Sequence, residues 1–598
     1  MGMASRWMTA AVAFAALAGC AAAPPVGAPG AARADAKAGS KDWVARSNHN
    51  AQVLLEVQAR FSPEQAARTG VTGLDERVSD FTPGHLQRRR DAVRAALVTL
   101  EARALGEADP LVAQDLAILV LAAKRDIRGS ELSERLAVPY VNLPRLVFGS
   151  MRSLLEPQVD AARRPAALAR VRKYAGLESG TTPVATLLAA ETREALARPG
   201  LLPPNKLEVE NDLQTARFLI DGIEKLFQEF AIAGHEAPVA ELKRQLNGYL
   251  EFVRAEVLPK ARTDFRLPPE LYAFRLEQVG VDLAPEELIK RAHEGFTKIQ
   301  AEMQEVSARI AKKRGLASSD YRDVIRALKK EQIPDAEVLA HYQGRLAEIE
   351  AIIRKQQLLT LPSRPARIRL GTPAENAQQP APHMNAPRML GNTGEQGEFV
   401  LPLGVPGAVE QKYDDFNYAA ASWTLTAHEA RPGHELQFAS MIETGVSNVR
   451  AIFAHNSVNV EGWGLYSEAI TLPFMPEEGQ LISLQLRLQR AVRAFIDPEL
   501  QLGKWTPESA HAFLTKEVCL SPAFATEEVD RFTFRMPGQA TAYYYGDLRL
   551  IELRAAAEQL LGARFDAKVF HDLVLAQGML PPDLLRKAVL EALARRPS

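Results

Sequence analysis

Only two cysteines, Cys20 and Cys519, occur in 598 residues. A disulfide framework is excluded, and a chain this long can build a core large enough to need none. An excess of one charge is missing too: 72 Lys and Arg face 73 Asp and Glu, a formal net charge of −1. With no basic excess and no block of like charges, nothing argues for a nucleic-acid partner, and a solvated surface of mixed sign is expected. Beyond the N-terminal segment no run approaches 18 uninterrupted apolar residues, so the body of the chain should contain no membrane helix. Alternating strand patterns are few and no internal repeat is present. What remains, 47% hydrophobic and 24% charged residues, is the composition of a globular protein. Two subdomains or more are expected, because the length exceeds one ordinary core.

The N-terminus is the exception to this evenness. Arg6 precedes the apolar stretch MTAAVAFAALAGC, which ends in Leu17-Ala18-Gly19-Cys20. The stretch is too short to remain as a membrane span and has the shape of a secretory signal. Its ending resembles a bacterial lipobox, in which the cysteine is lipidated and becomes the first residue of the mature chain. A plain secretory signal, cut after a small residue, is the alternative. The lipobox implies 1–20 as signal peptide, membrane attachment through a lipidated Cys20 and a place in the cell envelope. Ala21 is not acidic, which by analogy favours the outer membrane, facing the periplasm. Residues 21–42, rich in alanine, proline and glycine, read as a flexible tether. Cys519 would then stand alone, and the apolar neighbours in TKEVCLSPAF mark a buried inert thiol rather than a nucleophile.

Helix signals dominate after the tether. Ser62-Pro63-Glu64-Gln65 offers an N-cap serine and a proline at the first helical position. Leu288, Ala292, Phe296, Ile299, Met303, Val306 and Ile310 recur at spacings of three and four, the stripe of one long amphipathic helix. Thr506-Pro507-Glu508 and Pro582-Asp583 open further helices. A mostly α-helical protein follows, with a helical region over 43–358, a proline- and glycine-rich break over 359–412, and a second helical region over 413–598. Ile368-Arg369-Leu370 and Phe399-Val400-Leu401 are candidate edge strands within the break.

The residues with the most chemistry lie in the last region. Residues 428–434 read HEARPGH and 461–468 read EGWGLYSE. Imidazole and carboxylate suit Zn²⁺, and a catalytic zinc takes three protein ligands and leaves a fourth position for water. His428, His434 and Glu461 are the candidate ligands, and Glu429 the base beside them. The spacing raises an objection. On a straight helix, residues six apart sit about 120° apart around the axis and about 9 Å apart along it, too far to share an ion. Pro432-Gly433 offers a way out, since proline breaks the ladder and glycine accepts unusual dihedrals, so a local bulge could return His434 to the face of His428. By spacing alone, a metal site and scattered surface histidines stand as equal readings.

The strings HEARPGH, VEGWGLYSE and PGQATAYYYG (537–546) together resemble the bacterial domain-of-unknown-function family 885, whose members carry HExxPGH, EGWALYxE and PGQAxxYxxG. GVTGLDERVSDFTP (70–83) and PAPHMNAPRMLGNTGEQGEFVLP (380–402) extend the likeness over most of the mature chain. That family is grouped with mostly helical zinc metallopeptidases of the thimet-oligopeptidase and thermostable-carboxypeptidase kind. The resemblance implies an elongated multi-helix architecture with a central cleft, and a small sheet beside the active-site helix. It also implies one Zn²⁺ per chain, held by His428, His434 and Glu461, with Glu429 as general base.

Other residues are assigned around this frame. Glu468 lies seven residues from Glu461, on nearly the same helix face, and can accept a hydrogen bond from a ligating imidazole; a solvated carboxylate is the plain alternative. The tyrosine-rich segment resembles the one that supplies the oxyanion donor in thimet-like peptidases, with Tyr543 first and Tyr544 second. Arg493 and Arg531 match family positions and suit either capture of a substrate carboxylate or a structural ion pair. The chain departs from the family at Gln501 and Glu435, each standing where a histidine is usual. His383 and His455 lie near the motifs, and each is more often a packing histidine than a ligand.

The expectation is a lipid-anchored zinc metallopeptidase of the bacterial cell envelope that hydrolyses peptide bonds. Its rivals are a metal-dependent amidase or esterase acting on a cell-wall or small-molecule bond, and a non-catalytic binding lipoprotein. Substrate length, exo- or endo-cleavage and oligomeric state are not readable from the sequence.

Overall fold

The computed structural model describes residues 42–404 and 413–596. The signal segment, the lipobox at Cys20 and the tether up to residue 41 lie outside the described residues, as does 405–412.

The periodic stripe does build one helix, Pro285–Arg314, which opens on a proline and stops at Gly315, where φ is +66°. Leu288, Ala292, Ile299, Met303, Val306 and Ile310 are buried, and the stripe packs along the helix Glu477–Gln501. Thr506 caps Pro507–Glu517 by accepting from Ser509 N, and Pro582 opens Pro582–Ala594. Pro63 opens Pro63–Thr69 as expected, although the Ser62 side chain makes no capping bond. The protein is mostly α-helical. No helix among the described residues is long and apolar enough to cross a membrane.

One small sheet interrupts the helices, inside the proline-rich break. Strands β1 (Arg367–Leu370), β2 (His383–Asn385) and β3 (Glu398–Leu401) lie in the order β1-β3-β2, with β1 parallel and β2 antiparallel to β3. Phe399-Val400-Leu401, read from the sequence as an edge, is the central strand; all three side chains are fully buried, as a continuous apolar run should be. β2 escaped the sequence reading because three residues are too few to show an alternation.

Regions far apart in the chain share their cores. The N-terminal helices Asp42–Phe61, His85–Leu105 and Pro110–Leu136 bury Leu55, Leu100 and Leu119 with Leu553, Phe570 and Leu593 of the C-terminal helices. A second core joins Pro285–Arg314, the sheet and Glu477–Gln501. The third lies within residues 140–257. Between the first two runs a seam formed by the helices Ser457–Thr471 and Thr541–Leu561. Trp463 and Leu550 face one core, Val458 and Tyr545 the other.

Two glycines set that seam. A Cβ on Gly462 would lie 2.6 Å from the Gly546 carbonyl carbon, and one on Gly546 would overlap Val458 O. The helices therefore touch backbone to backbone, bringing Glu461 beside the Tyr543 turn. Gly546→Ala should part them and lower stability by about 1–3 kcal/mol, read as a drop in the denaturant midpoint.

Candidate metal centre

The HEARPGH segment solves its spacing problem by changing helices. Ala419–Leu425 continues into a wide π-helical turn, Thr426–Ala430, which carries His428 and Glu429. Arg431 is extended (φ −127°, ψ 133°) and ends the turn. A new helix, His434–Thr444, starts at the second histidine. The expected bulge within one helix is thus replaced by a break between two. Gly433 has φ −77°, so a left-handed conformation is not what requires glycine there. The requirement is closeness: a Cβ would overlap the carbonyl oxygens of His428 and Ala427 and lie 2.5 Å from the His428 carbonyl carbon.

The break is held firmly. Arg431 donates to Glu435 (2.7 Å), to Glu350 (2.7 Å) and to the Arg364 carbonyl (2.5 Å). Glu435, fully buried, is therefore the clamp of this loop. Trp463 donates through Nε1 to the Pro432 carbonyl at 2.9 Å, tying the loop to the Glu461 helix. Gly464 supplies the seat for His428, since a Cβ there would lie 2.5 Å from the imidazole Cε1.

These constraints bring the three predicted ligands together. The ring centroids of His428 and His434 are 4.6 Å apart, edge to face. Glu461 Oε2 lies 3.7 Å from His428 Nε2 and 3.4 Å from His434 Nε2. Ligand atoms of all three fall within 4.8 Å of one another, the one such His/Cys/Asp/Glu group among the described residues. A tetrahedral zinc with donors about 2.0–2.1 Å away separates neighbouring donor atoms by about 3.4 Å. The donor set and its spacing fit that ion.

Glu468 completes the arrangement. Its Oε1 lies 2.7 Å from His428 Nδ1, and Thr424 donates to its Oε2 at 2.5 Å. A carboxylate on Nδ1 holds a ring proton there, which makes Nε2, facing Glu461, the atom a metal would take in place of the second proton. Arg490 Nη2 stands 3.7 Å from the same Oε1. His434 has no such partner: its Nδ1 is buried without a hydrogen bond among the described residues.

The electrostatics favour a cation. Burial would lower the His428 imidazole, but Glu461 and Glu468 outweigh it and push it up to about 9. Burial opposes the charge of Glu461 too, yet the two imidazoles hold its carboxyl well below the usual range. Glu429 behaves differently. Burial raises its carboxyl against the pull of His428 and His434, which suits a group that must take up a proton and give it away.

The three tyrosines diverge. Tyr543 lies parallel to His428, ring centroids 6.4 Å apart, and burial and the charge of Glu461 push its phenol up to about 12. Tyr544 is a correction: its hydroxyl is committed to the Arg291 carbonyl, to which it donates at 3.0 Å. Tyr545 bonds Asp282. Consecutive residues on a helix point about 100° apart, so only one of the three can face the site.

The arginines divide as well. Arg493 is a buried ion pair, donating to both oxygens of Glu528 (2.5 and 2.7 Å), with its guanidinium carbon 4.4 Å from the Tyr543 ring centre. It supports the tyrosine and has no free fork for a substrate, which corrects that half of its assignment. Arg531 donates to Gln539 at 3.2 Å, and Gln539 donates to Glu461 Oε1 at 3.4 Å. Gln501 faces no ligand: it accepts from Leu267 N and donates to the Phe532 carbonyl. His383 sits on β2, its Nδ1 on the Ala381 carbonyl, and burial lowers it to about 4. Burial also lowers His455, against the opposing charge of Glu461.

Sequence reasoning missed Arg490, Thr424 and Gln539. Arg490 had a signal, since it precedes Arg493 by one helical turn. Gln539 was visible only as a letter of a motif. Thr424 had none, because nothing local marks a hydroxyl that reaches across to another helix.

A family model described as "Bacterial protein of unknown function (DUF885)" matches residues 63–589. Two solved structures, described as putative lipoproteins, share the fold. The protein from Colwellia psychrerythraea is 19% identical with a TM-score of 0.75, the alignment covering 92% of this chain and 100% of that one. The protein from Shewanella oneidensis is 20% identical with a TM-score of 0.66, over 92% and 100%. No curated protein matches the chain.

Proposed function

The chain belongs to the DUF885 family of bacterial proteins, and we propose that it is a zinc-dependent peptidase of the cell envelope. The observation that carries this reading is the convergence of His428, His434 and Glu461, the carboxylate 3.7 and 3.4 Å from the two imidazole nitrogens and all three ligand atoms within 4.8 Å, with a further carboxyl on the adjacent Glu429. His428 and His434 would hold the ion through Nε2 and Glu461 through its carboxylate. When bound, zinc supplies a Lewis acid for the scissile carbonyl and lowers the pKa of water to about 7. Glu429 takes the proton of the attacking water and later delivers it to the leaving amine. Tyr543 donates a hydrogen bond to the oxygen that gains charge, while Arg493 beneath its ring fixes its direction. Glu468, held by Thr424, keeps His428 in the tautomer whose Nε2 lone pair faces inward. The test is metal analysis of the purified mature chain together with product sequencing on a random peptide mixture. One zinc per chain and defined peptide products support the reading; products only from non-peptide amides or esters would replace it.

Tyr543→Phe should lower kcat by about 100-fold with zinc content intact, as removal of one oxyanion donor does. Tyr544→Phe should leave kcat near that of the wild type, and a kcat ratio between the two variants close to one would reassign the donor.

The envelope location rests on the N-terminal lipobox and on the lipoprotein description of both structural relatives. Cys20→Ser should move the protein from the membrane fraction to the soluble periplasmic fraction. A wild-type protein found wholly soluble would remove the anchor.

A further inference from the structure

Of the three arginines around Tyr543, one is fully committed. Arg493 holds both oxygens of Glu528. Arg490 donates to the Leu486 carbonyl and stands 3.7 Å from Glu468, and although its Nε has no hydrogen-bond partner among the described residues, it is closed off by burial. Arg531 pairs with the same Glu528, but more loosely. Glu528 Oε1 approaches its Nε only to 3.4 Å, and that Nε is buried without a hydrogen-bond partner among the described residues. Its one hydrogen bond, to Gln539, joins two side chains rather than two charges. Of the other acids near it in sequence, Asp530 lies 3.4 Å from Arg535, and Glu527 is pushed up by burial and so resists ionising. The Arg531 side chain keeps 14% of its surface open, more than Arg490 or Arg493, which keep 8% and 5%.

Its position relative to the metal ligands matters most. Arg531 meets Gln539, and Gln539 meets Glu461. The guanidinium is thus two hydrogen bonds and one amide width from a predicted ligand. That is on the order of two residues of extended chain, at 3.3–3.6 Å each. Gln501 steadies the turn, donating to the Phe532 carbonyl next to Arg531. A planar fork of donors on a steadied turn, sharing its close carboxylate Glu528 with Arg493, suits a second carboxylate.

Resting on the peptidase reading above, we infer that Arg531 receives the free α-carboxylate at the C-terminus of the substrate, so that the enzyme removes one or two residues from that end. An internal peptide bond far from a C-terminus would offer Arg531 only neutral backbone, and forgoing the added charge pair weakens binding.

The test compares one short peptide ending in a carboxylate with the same peptide ending in an amide. Wild type should show a kcat/KM roughly 100-fold higher for the acid, expressed mainly in KM, and should release single residues or dipeptides. Arg531→Gln should retain zinc and bring the acid down to the rate of the amide; Arg531→Lys should recover part of the preference. A second readout needs no turnover. Zinc-loaded Glu429→Gln, titrated calorimetrically with both peptides, should bind the acid about tenfold more tightly, and adding Arg531→Gln should abolish the difference. Equal cleavage of acid and amide by the wild type, or a preference that survives Arg531→Gln, overturns the inference and leaves the peptidase reading standing. Absence of cleavage with the calorimetric preference intact removes the peptidase reading and keeps the carboxylate site. Absence of both removes the two together.

Discussion

Glu429→Gln should keep one zinc per chain and lose hydrolysis by about 100- to 10,000-fold, the range of a general base, whereas His428→Ala and Glu461→Ala should bind no zinc. The contrast follows from geometry. His428 and His434 turn Nε2 toward Glu461 at 3.7 and 3.4 Å, and among the described residues these three alone bring ligand atoms within 4.8 Å of one another. Glu429 lies beside them with a carboxyl raised by burial and no place in that triangle. Glutamine fills the same volume and cannot accept a proton, so the ion stays and turnover goes. Metal content by atomic emission and kcat on a cleaved peptide check both halves. If Glu429→Gln stripped the metal while the two ligand variants kept it, the roles would be exchanged.

Gly433→Ala should weaken zinc binding by about 10- to 100-fold, the range seen when a residue supporting a ligand is lost, although position 433 donates nothing to the ion. A single methyl would overlap the carbonyl oxygens of Ala427 and His428, which belong to the turn that carries the first ligand. They cannot retreat without moving His428, because that ring is pinned by Glu468 on one side and by the Gly464 backbone on another. Arg431, bonded to Glu435 and Glu350, blocks relief at the other end of the loop. Competition with a zinc-sensitive dye measures the affinity, and circular dichroism checks that the helices persist. Unchanged affinity in a folded Gly433→Ala protein would show that the loop is looser than its contacts require.

Much of the site was legible because its parts are written in short strings. A histidine pair with an intervening glutamate, a glutamate one helix later and a tyrosine-glycine run each sit within ten residues. Glu468 was readable from its seven-residue offset, and it does meet His428. The long stripe from Leu288 to Ile310 was readable for the same reason: helical period is a local property, visible wherever a helix must bury one face. The roles of Tyr544, Arg493 and Gln501 were not readable. Each depends on what lies opposite: Arg291 for the tyrosine, Glu528 for the arginine, Leu267 and Phe532 for the glutamine.

By itself the sequence determined the helical class, named three candidate ligands and a candidate base, and carried the motifs of the family to which the chain belongs. Local periodicity and residue chemistry suffice for the class and the donor types. Only the tertiary structure decided how histidines six apart can share an ion. It does so by ending one helix at Ala430 and starting another at His434, with Gly433 pressed against the turn behind it. It also decided which tyrosine lies against His428 and which of the three arginines is left most open. Those outcomes depend on helices 457–471 and 541–561 meeting at Gly462 and Gly546, a contact between residues 84 positions apart that no local pattern encodes.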